Sequence, residues 1–291
     1  MSTTSPSLGR MSPPLVAPRV TQIVAKTLLW AATALTVGVL VFIVAFVLRR
    51  GLPYVTGDFL TEAPRDMGRA GGILPMIVGT LYVTAVAVAV ATPLGLGTAI
   101  YLTEYTRGGF LTRVVRFGAE CLAGVPSIIF GLFGFVFFVI TLGMGWSVLA
   151  GGLTLAFMIL PTVIRTAEEA VKSVPPQYRE VAYTLGASKW QAIVKVVLPS
   201  ALPGILTGII LGIGRSLSET AAVIFTAGSS LKMPVSLFDP ARTMSVHFYL
   251  LARGGISMPK AYATAAVLVL AILVINATAY GLMHRFMKRF S

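Results

Sequence analysis

With 291 residues, of which 56% are hydrophobic and 11% charged, the chain has the composition of a membrane protein and excludes a soluble globular domain. Its net charge of +13 is spread over several loops and both tails with no single basic face, which fits membrane lipid headgroups and excludes a nucleic-acid partner. The one cysteine, Cys121, rules out an internal disulfide framework, and its apolar surroundings predict a buried, inert thiol.

In chain order, residues 1–22 are rich in Ser, Thr and Pro and read as a disordered cytoplasmic tail. Runs without charge then cover residues 27–48, 70–103 and 121–164. A helix needs ~20 apolar residues to cross a bilayer, so the first two runs supply one span each. The third is long enough for two, with the turn at 143–146 and Trp146 suited to the interface. Residues 202–228 and 261–283 complete an expected all-α fold of six transmembrane helices. Between the last two spans, breaks at Pro234, Asp239-Pro240 and Gly254-Gly255 predict a short helix in the outer loop. An even number of spans places both termini on one side. The basic tails and the basic loops at 107–116 and 165–195 make that side cytoplasmic, on a modest excess.

No GxxxxGK[ST] phosphate loop, HExxH or GxSxG occurs, and His247 and His284 have no second ligand at metal spacing. No catalytic residue, metal or cofactor is therefore expected, and the energy for any transport must come from an ion gradient or another subunit.

Residues 176–199 interrupt the spans with a charged, doubly amphipathic block. Tyr178, Val181, Ala182 and Leu185 share one helical face at i, i+3, i+4 and i+7. Trp190, Ile193, Val194 and Val197 repeat the spacing after Gly186, a helix stop, and Ser188, an N-cap. Two short helices with one apolar face each suit a membrane surface or a partner's groove.

This block resembles the cytoplasmic loop of bacterial ABC-importer permeases, E-A-A-x3-G-x9-I-x-L-P. Glu180, Ala182, Gly186, Leu198 and Pro199 match in register, while Val181 and Val196 depart mildly. Further segments, including GVPSIIFGLFGF (124–135), GRSLSETAAVIFTAG (214–228) and SLFDPARTMSVHFYLLA (236–252), resemble the PstA-type permease family of phosphate importers over residues 70–285. The resemblance implies a type I ABC importer permease fold over 71–285, preceded by a first helix and outer loop at 23–70 and followed by a basic tail at 286–291. It also implies a homologous second permease subunit, two cytoplasmic ATPase subunits, an extracytoplasmic phosphate-binding protein and a bacterial cell-membrane location. Residues 176–198 would be the coupling helices seated in an ATPase cleft, with Tyr178, Glu180, Ala182, Leu185 and Gly186 as coupling residues. Gly186 serves there either as a turn in contact with the ATPase or as a C-cap alone.

The passage of substrate is expected at Arg215 and Glu219. Arg215 lies 13 residues into the fifth span, about 20 Å at 1.5 Å per residue, close to mid-bilayer. There an unpaired arginine costs at least ~2.5 kcal/mol, so it should face a polar interior. Glu219, at i+4, is expected on the same face, either as partner in an anion way-station or as half of a packing ion pair. A guanidinium fork suits two phosphate oxygens, and a carboxylate can take a proton that sulfate at neutral pH does not carry. The resemblance places the family's transport-critical arginine on Arg215, in the pattern GRxLxET. Arg165, with Glu168 and Glu169, is a second pathway candidate, although snorkelling to headgroups also explains it. Gly204, Gly208 and Gly212 form a small-residue row for close helix packing, either within the chain or against a second permease. The alternatives are a permease for sulfate or molybdate and, from a different class, an ion-coupled secondary transporter, which would not need the cytoplasmic block.

Overall fold

The computed structural model describes residues 18–106 and 108–290. Most of the expected tail, residues 1–17, lies outside that range. The helices in chain order are α1 (Pro18–Gly51), α2 (Gly57–Thr61), α3 (Leu74–Ile100), α4 (Phe110–Ala123), α5 (Ser127–Gly134), α6 (Val148–Ser173), α7 (Pro176–Thr184), α8 (Lys189–Ala192), α9 (Leu198–Ser218), α10 (Ala221–Thr226), α11 (Met244–Arg253) and α12 (Met258–Phe290).

The chain divides into a unit at 1–46 and a unit at 47–291. Of the first, the described part is the body of α1, which begins inside the stretch expected to be tail. Val24, Leu28, Leu29 and Trp30 are all exposed, and at 100° per residue they point to different sides of this helix. A helix apolar all round, with no stripe selected for a protein core, is suited to lipid.

In the second unit α3, α6 and α9 form the centre. Val83, Ala87 and Ala91 of α3 pack against Leu155, Met158 and Ile159 of α6, with Ala222 and Val223 of α10 closing the cluster. Alanines and glycines at these contacts let backbones approach, as helix packing in lipid requires. Gly95 of α3 lies so close to Val163 of α6 that a Cβ there would meet its side chain at 2.7 Å. The row on α9 does the same within this chain: Gly204 faces Ala170, Gly208 faces Thr166 and Gly212 faces Ile159, all on α6. Of the two alternatives for this row, the contacts with α6 are of the internal kind.

Five helical stretches are long and apolar enough to cross a membrane: Gln22–Tyr54, Leu74–Tyr105, Val148–Ser173, Lys189–Ser218 and Met258–Arg285. A sixth is reached when a bent pair, Phe110–Ala123 and Ser127–Thr141, which meet at 104°, counts as one broken span. Here the uncharged run misleads about where the span begins. Pro126 lacks a backbone donor and disfavours helix at Val125, so the chain breaks after Ala123 and the apolar run straddles two helices. Cys121 therefore sits near the end of α4, where it is exposed and not buried as expected.

The fifth span also differs at both ends. It begins at Lys189 and runs through a π-helical turn, Ile193–Val197, into α9, so the second half of the amphipathic block is the foot of the span. It ends at Ser218, where Glu219 takes an extended ψ of 131° before α10.

Outside the bundle, the loop after α1 is ordered by contacts the sequence did not announce. Thr56 caps α2 by accepting from Phe59 N at 3.2 Å, and a two-residue hairpin pairs Pro64 with Gly71 and Arg65 with Ala70. Lys260 Nζ donates to Gly71 O at 3.0 Å and lies 4.6 Å from the Phe59 ring centroid. The predicted short helix of the outer loop is α11, which stops at Gly254.

Candidate functional site

The amphipathic block is punctuated by local chemistry. At the end of α7 the Gly186 N–H donates to Tyr183 O at 2.9 Å and the Ala187 N–H to Ala182 O at 3.0 Å. With Gly186 at φ +82°, this is the Schellman form of helix C-cap. Nothing lies within 4 Å of a Cβ built at Gly186, so the backbone conformation and not crowding within the chain demands glycine. Ser188 then opens the next helix with a full capping box: Gln191 N donates to Ser188 Oγ at 3.3 Å, and Ser188 N donates to Gln191 Oε1 at 2.8 Å.

The apolar faces divide in two. Ala182, Ile193 and Val197 turn inward and are buried. Tyr178, Val181 and Leu185 are 52%, 59% and 82% exposed, and Trp190 is also outward. Glu180 is exposed beside them and forms no ion pair among the described residues.

Arg179 holds α7 in place, a role its sequence position does not reveal. Its Nη1 donates to Val174 O at 2.8 Å and its Nη2 to Val171 O at 3.0 Å, satisfying carbonyls at the end of α6. Nε and Nη2 also donate to Glu104 Oε1, at 3.0 and 2.7 Å. Glu104 lies in the π-helical turn that ends the second span. One guanidinium therefore ties the helix that bears the exposed apolar face to the ends of two spans. Removing one partner of such a shielded pair costs about 3–5 kcal/mol.

Arg215 lies in the last turn of α9, half-buried, and its guanidinium makes no hydrogen bond or ion pair among the described residues. The expected contact with Glu219 is absent because the helix stops one residue before it. The extended backbone at Glu219 turns its carboxylate to the N-terminus of α10, where Oε1 accepts from Ala222 N at 3.4 Å. The partial positive charge there favours a carboxylate. The Glu219 carbonyl in turn accepts from Ser245 Oγ at 2.6 Å, tying the break to α11. Ser216 Oγ, in the last turn of α9, and Asn276 Oδ1, on α12 beside Gly214, are buried atoms without a hydrogen-bond partner among the described residues; Asn276 was not flagged by sequence.

Arg165 is exposed and forms no ion pair with Glu169 among the described residues. The buried carboxylate is Glu168, which accepts from Arg116 Nη2 and Lys172 Nζ, each at 2.6 Å. These residues, with Arg165, Glu120 and Glu169, line a cavity of about 230 Å³ between α4 and α6.

A second buried cluster was missed. Arg242 donates from Nε and Nη2 to Ser229 O at 2.9 and 2.7 Å, and its Nη1 lies 3.4 Å from His247 Nδ1. An arginine has nothing to accept with, so His247 receives this contact at Nδ1 and carries its proton on Nε2. Burial first, and the Arg242 charge second, push the His247 pKa down to about 4. Below the ordinary value of 6.5 the unfolded imidazole takes up a proton that the folded one refuses. His247 therefore supports folding above pH 6.5, and stability falls as pH drops from 6.5 toward 4, by up to about 3 kcal/mol. Melting curves of the solubilised protein at pH 7 and pH 4.5 check this: His247→Gln should lose less stability on acidification than the parent chain.

The residues match the family model described as binding-protein-dependent transport system inner membrane component over 91–291. The chain belongs to that family. It is 31% identical over 278 residues to a probable ABC transporter permease protein, YqgI, of Bacillus subtilis, covering 90% of this chain and 94% of that one. The phosphate transport system permease protein PstA of Mycobacterium leprae is 39% identical over 69% of this chain and 67% of its own length. PstA 1 of Mycobacterium tuberculosis H37Rv is 37% identical over 76% and 72%. Among solved structures, an inward-facing MetNI methionine ABC transporter chain superposes with a TM-score of 0.62 at 19% identity, over 74% of this chain and 95% of that chain. A chain of a bacterial ABC transporter involved in alginate import gives 0.64 at 16% identity, over 92% and 99%. The fold is that of ABC importer permeases, and this family member is a multi-pass membrane transport subunit without an enzymatic role of its own.

Proposed function

We propose that this permease forms half of the pathway by which an ATP-driven importer carries inorganic phosphate across the bacterial cell membrane. The observation that carries the pathway assignment is Arg215: a half-buried guanidinium at a helix break in the fifth span, with no partner among the described residues. A cation so placed needs an anion, and its planar fork matches two phosphate oxygens. The substrate class rests on the relatives named as phosphate permeases. Glu219, a few residues away but held by α10, accepts a hydrogen bond from the protonated oxygen of the passing anion, and Arg165 is a secondary station near the exit.

Both termini are cytoplasmic, and the exposed face of Tyr178, Val181 and Leu185, with Glu180 and the Gly186 turn, docks into an ATPase subunit. The assembly contains a homologous second permease, two ATPase subunits and an extracytoplasmic phosphate-binding protein. The test is phosphate uptake into vesicles holding the purified complex. Uptake is expected to require ATP with the proton gradient collapsed, and to resist competition by sulfate and molybdate. Uptake that follows the proton gradient without ATP sinks the importer reading; competition by either oxyanion sinks phosphate selectivity alone.

A further inference from the structure

We propose that α4 is an interfacial helix whose outward face is seated in the phospholipid leaflet on the side of the membrane where the coupling block emerges. The helix has 14 residues, about 21 Å, and its polarity is opposite to that of a soluble surface helix. Its polar side turns into the protein: Thr112 is buried, and Arg116 reaches Glu168 at 2.6 Å. Its apolar side turns out, with Phe110 79% and Phe117 68% exposed and Val114 between them.

Three observations favour lipid over a protein partner. First, the 104° bend sets α4 nearly perpendicular to the apolar helical stretch Ser127–Thr141; with that stretch entering the bilayer, α4 lies along the membrane plane. Second, exposed apolar side chains recur beyond Pro126, at Ile128, Leu132 and Val136 of that stretch. Third, Arg113, exposed at the edge of the apolar face, forms no ion pair among the described residues and is free for a headgroup phosphate. The side of the membrane is fixed by α6. Arg116 binds Glu168 near the end of that helix, and the carbonyls of Val171 and Val174 a turn later hold Arg179 of α7. A leaflet-bound α4 therefore braces the Arg116–Glu168–Lys172 network at the foot of the coupling block. The inference is independent of what the protein carries.

The single cysteine supplies the probe, since Cys121 is exposed on the same face as Phe110, Val114 and Phe117. The assembled complex is reconstituted in phosphatidylethanolamine–phosphatidylglycerol vesicles with bimane on Cys121; the Cys121→Ser chain sets the background. Loss of emission with lipids brominated high in the acyl chain, and little loss with aqueous iodide, is expected. Quenching by iodide alone overturns the proposal. Protection from both quenchers also overturns it, because a protein subunit then covers the face. Phe117→Asp, if it assembles, should reduce quenching by brominated lipid; unchanged quenching in that variant counts against the seat.

Discussion

Arg215→Gln is expected to reduce phosphate uptake by roughly 30- to 1,000-fold while the complex still assembles, corresponding to a loss of about 2–4 kcal/mol of charge-assisted binding. The two outcomes are separable because of what the structure does not pair. A packing ion pair with Glu219 would leave a buried carboxylate uncompensated in the variant, and assembly would fail with transport. Glu219 instead spends its carboxylate on Ala222 N, 3.4 Å away at the start of α10, and forms no ion pair with Arg215 among the described residues. Glutamine keeps a polar end on a shorter side chain and removes the charge and the fork. Arg215→Lys keeps the charge as a point and should fall between the two, since a compact ammonium cannot bind two oxygens in parallel. The readouts are initial uptake rates in vesicles and subunit stoichiometry after purification. Normal uptake by Arg215→Gln would remove the residue from the pathway; loss of uptake together with loss of assembly would return it to a structural role.

What the sequence reveals about this molecule follows the range of the forces involved. Gly186 and Ser188 are legible because a C-cap and a capping box are built from atoms within five residues of each other. The spans are legible because burial in lipid acts on composition. The position of the third span is not, since a count of uncharged residues is blind to the proline that divides the run. Glu219 is misplaced for a similar reason: the end of α9 carries neither glycine nor proline, so a helical reading of Ser218-Glu219-Thr220 meets no local objection. The break is stabilised from elsewhere, by Ser245 of α11 reaching the Glu219 carbonyl. Arg179 and Glu104 are 75 residues apart, and nothing in either neighbourhood predicts that they meet. The row of glycines is intermediate. Its spacing announces close packing, whereas only the path of α6 decides which helix fills it.

That row carries the largest expected effect on stability. Gly208→Val should abolish the folded permease or lower its melting temperature sharply, whereas Gly97→Val should be tolerated. At Gly208 the space for a Cβ is already taken by the Thr166 side chain of α6. Thr166 cannot easily yield, because its Oγ1 donates to Thr162 O at 2.8 Å and lies 3.2 Å from Val163 O, which fixes the rotamer. The helices must separate, at a cost of about 1–3 kcal/mol for the overpacking alone. Separation also opens contacts above and below, where Gly204 meets Ala170 and Gly212 meets Ile159. Gly97 is an exposed helical glycine with nothing within 4 Å of an added Cβ, so it controls for the intrinsic effect of a side chain in a spanning helix. Gly208→Ala should be intermediate, and adding Thr166→Ala should recover part of its loss by deleting the atoms it strikes. Equal melting of Gly208→Val and the parent chain would show that the α6–α9 contact is not the tight one described. Because α9 carries Arg215 at one end and continues from the coupling block at the other, the same displacement should cost transport and ATPase coupling together.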